Sequence, residues 1–304
     1  MSSVISVRNL HKTYGTLVAV DDLSFEVEGG EIFGMVGPNG AGKTTTIECI
    51  EGLRQPDGGS VKLLGMAPSE ERLAVANRIG VQLQESALPP RLRVMEAMNL
   101  FGSFYERQAD AEDLLDELDL AEKRKASIAK LSGGQRQRLF IALALINRPE
   151  IVFFDELTTG LDPQARRAMW DLVRRIRDEG ATVFLTTHYM EEAERLCDRV
   201  LIIDHGQIVA FDTPEAMIRS LGAENRLVFT LPDDQIRPPL TDLPQVERVE
   251  QLGDRVVVYG HGQRFASSVV YALEDAEVDF LDLRTEQPNL EDVFLNLTGR
   301  EIRE

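Results

Sequence analysis

The run Gly37-Pro38-Asn39-Gly40-Ala41-Gly42-Lys43-Thr44 keeps the spacing G-x-x-x-x-G-K-[ST] without a gap, and the chemistry served by that spacing is the grip on a polyphosphate. Glycine lets backbone N–H groups turn inward on one anion, and a helix starting at the end of the loop adds the positive end of its dipole. Lys43 is expected to reach the β- and γ-phosphates, and Thr44, followed by Thr45, to offer its hydroxyl to Mg²⁺. A second reactive pair, Asp155-Glu156, follows the apolar run Ile151-Val152-Phe153-Phe154. An aspartate there can hold the hydration shell of the metal, and the glutamate can orient an attacking water and take its proton. His188, after Thr186-Thr187, and Gln84 stand at the ends of two further strand-like runs.

The elements that must position these groups are legible around them. Glu31–Val36 reads as a buried strand and Thr45–Ile50 as a helix, which is the strand–loop–helix setting that the phosphate loop requires. Ile151–Phe154 has the continuous apolar character of a central parallel strand, and Ala181–Leu185 and Arg199–Ile203 read the same way. Open α/β sheets collect their ligand contacts at strand carboxyl ends, so Gln84, Asp155, Glu156 and His188 are expected to face one crevice with the loop. A lone histidine is more often structural, and its place after a core strand is the argument for more.

Before the loop, Val4–Val27 reads as a small antiparallel sheet with turns at Gly15 and Gly29-Gly30. Tyr14, at the end of its first hairpin, could stack an aromatic base, though a turn tyrosine is commonly just packing. Val61–Leu64 and Ile79–Leu83 read as further strands. From about Glu85 the pattern turns helical, with Val94, Met98, Phe101, Leu114, Leu115 and Leu118 among charged residues, and Pro89-Pro90 marks the entry. Leu131-Ser132-Gly133-Gly134-Gln135 then opens another helix. Its serine and bare glycines could cap an anion, or simply be an N-cap with a flexible pair. Thr159–Pro163 reads as a turn into a helix, with Pro163 near its first position and Asp162 just before it.

Bulk properties narrow the class. At 304 residues with 43% hydrophobic content, two packed domains are expected. A net charge of -18 weighs against a general nucleic-acid binder, and no nucleic-acid partner is expected. Met1–Arg8 shows no charged leader followed by an apolar run, so a cytoplasmic location is expected. The longest apolar run, Leu139–Ile146, is far short of the roughly 20 residues that cross a bilayer. Cys49 and Cys197 are far apart and read as reduced core thiols.

In this order, Gly37–Thr44, Gln84, Leu131–Gln135, Ile151–Glu156, Asp162 and His188 resemble the complete motif set of an ABC-type ATP-binding cassette over roughly residues 1–222. The resemblance implies a P-loop α/β core with an antiparallel β-subdomain and a helical subdomain at about 85–147. It further implies ATP and Mg²⁺ as cofactors, Tyr14 stacked on adenine, Gln84 touching metal or attacking water, and His188 on the γ-phosphate. Cassettes of this family pair head to tail, so Ser132 and Gly134 of one subunit are expected to close on ATP held by Gly37–Thr44 of another, identical or paralogous. Leu157 departs from the proline usual after the carboxylate pair, and only a local change in backbone stiffness is expected.

Residues 223–304 carry 17 acidic and 8 basic side chains, the basic ones all arginine. Strand-like runs at Arg226–Leu231, Val246–Gln251, Arg255–Tyr259 and Val278–Leu283, with helical runs at Phe265–Glu274 and Leu290–Leu297, predict a small α+β accessory domain. The last helix should bury Leu290, Val293, Phe294 and Leu297. Pro288–Arg300 resembles the tail of daunorubicin-resistance-type ABC-2 exporter ATPases, which implies a separate membrane permease as partner and no direct contact with cargo. The rival reading is a soluble mechanical ATPase of the same family acting on nucleic acid, the ribosome or an assembly scaffold. A cassette that binds ATP without hydrolysis is disfavoured by the intact Glu156 and Leu131–Gln135.

Overall fold

A computed structural model describes residues 3–82, 88–221, 225–232 and 240–299. The chain divides into two compact units, Met1–Pro214 and Glu215–Glu301. Strands of the first run β1 (Ser3–Tyr14), β2 (Leu17–Glu28), β3 (Ile32–Val36), β4 (Gly58–Leu63), β5 (Ile79–Gln82), β6 (Ile151–Asp155), β7 (Thr182–Thr187), β8 (Arg199–Asp204) and β9 (Gln207–Asp212). Its helices are α1 (Lys43–Ile50), α2 (Arg72–Ala76), α3 (Val94–Gly102), α4 (Ala111–Glu117), α5 (Gly133–Leu145), α6 (Pro163–Asp178) and α7 (Met190–Leu196), and α8 (Pro214–Ser220) follows. No helix among the described residues is long and apolar enough to cross a membrane.

The main sheet has the order β5-β6-β7-β3-β8-β9, parallel except for β9 at its edge. Its central strands β3, β6 and β7 are buried along their whole length, which is why they read as unbroken apolar runs. Register does the positioning. Val36, the residue before the phosphate loop, pairs with Thr187, and Asp155 pairs with Thr186. The ends of β3, β7 and β6 therefore stand side by side, with loop, histidine and carboxylate pair leaving the same edge.

A three-stranded antiparallel sheet, β2-β1-β4, joins that core through aromatic rings. Phe25 of β2 stacks on Phe33 of β3 at 5.5 Å, and Phe184 of β7 lies 5.1 Å from Phe33 and 5.5 Å from Phe153. Helices α3 to α5 supply the expected helical region. Asp110 caps α4 by accepting from the N–H groups of Glu112 and Asp113, the usual service of an aspartate at a helix start.

The second unit contains β10 (Asn225–Thr230), β11 (Val246–Leu252), β12 (Arg255–Gly260), α9 (Phe265–Asp275), β13 (Leu281–Glu286) and α10 (Leu290–Thr298). Its antiparallel sheet runs β11-β12-β10-β13. Leu227, Phe229, Val256 and Val258 from the strands pack with Phe265, Val269 and Leu273 of α9, an α+β arrangement as expected.

Two expectations are corrected. The last strand starts at Leu281 rather than Val278, because Val278 is consumed in the end of α9: its N–H reaches the Leu273 carbonyl at 3.0 Å while Glu277 takes a left-handed φ of 51°, the geometry of a Schellman cap. Leu297 is 50% exposed, whereas Leu290, Val293 and Phe294 are buried. Strand β9 and helix α2 were not foreseen, the first lying at a sheet edge with a mixed, half-buried pattern, the second being only five residues long.

Candidate functional site

Glycine is required in the phosphate loop for two separate reasons. A Cβ on Gly37 would come within 2.1 Å of the Ile203 carbonyl oxygen, and one on Gly42 within 2.3 Å of that of Ala19. Gly40 and Gly42 also hold φ of 81° and 105°, a region open to glycine and costly for other residues. α1 begins at Lys43 directly after Gly42, so the loop runs into the positive end of a helix. Lys43 Nζ donates to the carbonyls of Gly37 at 2.8 Å and Pro38 at 3.1 Å, and lies 4.0 Å from Glu156 Oε1. Burial pushes its pKa below the ordinary lysine value, opposed by the charges of Glu156 and Asp155.

The carboxylate pair splits into two environments. Asp155 is buried at the end of β6 and accepts a hydrogen bond from the Thr186 hydroxyl. Burial raises its pKa, the Thr186 bond opposes that, and neighbouring Glu156 adds to it. Glu156 has left the strand with a φ of 51°. Its N–H is held by the Thr186 carbonyl at 3.1 Å, and its Oε1 lies 3.4 Å from His188 Nδ1. The left-handed turn is what separates the two neighbours, leaving Asp155 anchored in the sheet and Glu156 between Lys43 and His188. Leu157 is buried, and its carbonyl accepts from Gln137 Nε2 of α5 at 3.0 Å.

A cavity of about 350 Å³ is lined by Asn39, Gly40, Gly42, Lys43, Thr44, Thr45, Glu156 and Tyr14, within the range of small-molecule sites. Tyr14 is 40% exposed, with the Arg54 guanidinium 5.1 Å from its ring centre. Leu17 and Val18, exposed residues at the start of β2, line the same cavity. They were missed in the sequence because they resemble any strand start. Thr186 was missed too, although two threonines closing an apolar strand were a usable signal.

Ser132–Gln135 is placed differently. Ser132 Oγ accepts from Gln135 N at 3.3 Å while Gln135 Oε1 accepts from Ser132 N at 3.1 Å, a closed capping box. A Cβ on Gly133 or Gly134 would meet open space. None of Ser132–Gln135 is among the described residues lining the phosphate-loop cavity. Asp162 caps α6, accepting from the N–H groups of Gln164 and Ala165 at 2.9 Å each. Gln84 lies outside the described residues.

The ABC transporter family profile matches residues 20–159. A Nod factor export ATP-binding protein I of Ralstonia nicotianae is 40% identical over 310 residues, covering 99% of this chain and 95% of that protein. The chain belongs to the ABC transporter ATP-binding proteins. The linearmycin resistance ATP-binding protein of Bacillus subtilis is 34% identical, covering 99% of this chain and all of its own. Among solved structures, an ATP-binding subunit of an ABC transporter superposes with a TM-score of 0.66 at 29% identity, covering 72% of this chain and 94% of its own. A dimeric bacterial ABC transporter cassette gives 0.61 at 26% identity, covering 69% and 98%. Members of this family bind ATP and hydrolyse it to drive transport, and this ABC ATPase carries the fold for both.

Proposed function

We propose that this ABC ATPase is the energising subunit of an ABC-2-type exporter, working on a separate membrane permease through ATP-driven head-to-tail pairing of two such subunits. One observation carries the pairing: the phosphate-loop cavity lacks Ser132–Gln135 among its described lining, while that capped helix start stands open elsewhere on the same unit. The open space at Gly133 and Gly134 leaves that helix start free to approach a phosphate held by a facing subunit. Ser132, Gly133, Gly134 and Gln135 would then close on ATP cradled by Gly37, Pro38, Asn39, Gly40, Ala41, Gly42, Lys43, Thr44 and Thr45 of the facing chain. Tyr14 would stack on adenine, and Asp162 would set the facing loop.

Mg²⁺ fits this donor set. Thr44 lines the phosphate-loop cavity, and Asp155, which is not in that lining, lies near enough to Lys43 to act on its charge; one hydroxyl with one carboxylate reached through water would suit a hard cation that keeps several waters, and no cluster of three or more metal-type ligands exists among the described residues. When bound, the ion would supply charge neutralisation between the phosphates. Glu156 would accept the proton of the attacking water, and His188, whose Nδ1 lies 3.4 Å from Glu156 Oε1, would reach the γ-phosphate. Gln84 is assigned to the same water or metal by resemblance. Loss of the γ-phosphate removes charge-assisted contacts across the pair, which opens it and moves the attached permease.

The export assignment rests on the two named relatives, which span nearly the whole chain. Residues 1–222 would form the ATPase domain and residues 223–304 an accessory domain acting in assembly or regulation. The subunit would sit in the cytoplasm, on the inner face of the membrane, meeting the permease in the groove between core and helical region and never the cargo. Purification of the tagged chain from detergent-solubilised membranes tests this. A stoichiometric polytopic membrane protein is expected, and recovery with ribosomes or nucleic acid instead would favour the soluble mechanical ATPase.

A further inference from the structure

Glu51 directly follows α1, the helix that starts at Lys43. It is only 6% exposed, and its Oε2 finds no hydrogen-bond partner among the described residues. Glu51 lines a cavity of about 460 Å³, with Ile79 and Val81 of β5, Phe101 of α3 and Phe140 and Leu143 of α5 as apolar walls and Gln82 and Tyr105 as polar ones. This groove is distinct from the phosphate-loop cavity and separated from it by the length of α1, about 12 Å for eight residues.

A buried carboxyl without a partner is costly and needs an explanation. Every influence on Glu51 points one way. Burial raises its pKa to about 8, and the negative charges of Asp155 and Glu48 act in the same direction. The negative end of the α1 dipole, where Glu51 sits, adds to them. Arg72 lines the groove at its exposed edge and forms no ion pair with Glu51 among the described residues. The surroundings thus supply negative potential, apolar walls and an unfilled acceptor. Their complement is a cation on an apolar stem.

We propose that Glu51 is the recognition residue of the permease-docking groove, receiving a lysine or arginine that a short cytoplasmic helix of the permease presents between apolar side chains. The proposal rests on the permease reading above. A positive side chain there gains a charge-assisted bond inside a low-dielectric groove, and Oε2 gains the partner it lacks among the described residues. A docking helix without a basic residue would leave the carboxyl buried and unsatisfied, so the groove discriminates between permeases as well as holding one. Because Glu51 and Lys43 stand at opposite ends of one short helix, occupancy of the groove and of the phosphate loop bear on the same rigid element.

The test places a photo-crosslinking benzoylphenylalanine at Leu53, which lines the groove and is 51% exposed, in the full chain expressed in its native membranes. The captured peptide is identified by mass spectrometry. The expected product is a cytoplasmic segment of a polytopic membrane protein that contains a lysine or arginine. Glu51→Gln in the same background is expected to cut capture at least ten-fold with ATP affinity unchanged. Glu51→Lys paired with glutamate at the mapped basic position is expected to restore it. A permease segment without a basic residue, or capture undiminished in Glu51→Gln, overturns the role of the carboxyl while leaving the permease reading intact. Capture of a soluble protein or of a second copy of this chain overturns both, and so does a groove that takes only a small molecule.

Discussion

Replacing Glu51 by glutamine should stabilise the isolated subunit, and the gain should depend on pH in a defined direction. The carboxyl is buried and its pKa is raised from 4.5 to about 8. Below pH 4.5 it is protonated in folded and unfolded chains alike, and no penalty exists. As pH rises towards 8 the unfolded chain ionises first, so the folded state loses relative stability; above 8 the penalty is constant. At pH 7, roughly 2.5 pH units above the ordinary value at about 1.4 kcal/mol each, the cost is about 3 kcal/mol. At pH 5 it is less than about 1 kcal/mol by the same relation. Glutamine has similar shape and no charge to desolvate, and Oε2 has no described partner to lose. Scanning calorimetry of the full chain should show the transition of the first unit about 6–12 °C higher in Glu51→Gln at pH 7, at about 2–4 °C per kcal/mol, with the gap nearly closed at pH 5. An equal gap at both pH values, or a loss of stability at pH 7, would refute the buried-carboxyl argument. A variant that folds better and docks worse would set Glu51 apart from residues that merely pack.

Other perturbations follow from the phosphate loop and its neighbours. Lys43→Ala removes the ammonium beside the cavity and should weaken ATP binding at least ten-fold by equilibrium dialysis, about 1.4 kcal/mol or more; unchanged affinity would count against the cradle. Glu156→Gln keeps the cradle and removes the base, so ATP binding should persist while hydrolysis falls at least about a hundred-fold. That variant should migrate as a dimer on sizing in ATP and Mg²⁺, and a monomer there would contradict the pairing. Gly37→Ala drives a methyl against the Ile203 carbonyl and should destabilise the first unit by about 3 kcal/mol or more; chemical denaturation with no change would show that the backbone can yield.

Linear signals, where they existed, led directly to structure. The phosphate loop needs its residues in one unbroken run, and the apolar strands before Asp155 and His188 are buried on both faces, so periodicity and spacing carried them. Less visible was what arises between distant segments. Thr186 finds Asp155 only because β6 and β7 pair in the register that sets these two residues opposite each other. Glu51 looks like any polar residue at a helix end, and its burial comes from segments about 20 to 95 residues further along the chain. Tyr14, Leu17 and Val18 share a cavity with the loop because the antiparallel sheet packs there through Phe25 and Phe33. The edge strand β9 was hidden for the opposite reason: half-buried on an edge, it lacks the clear alternation that announces a strand.

The central claim, that one ATP site is built from two chains, is tested most directly by mixing two disabled subunits. Lys43→Ala lacks the phosphate grip, and Gly134→Asp places a negative charge at the open start of α5; each alone should be nearly inactive. In an equal mixture, half of the dimers are mixed and each of these has one site with both halves intact, so hydrolysis should recover to about one quarter of the native rate. A mixture no more active than its parents, or a Gly134→Asp subunit that hydrolyses ATP at the native rate by itself, would contradict the shared site.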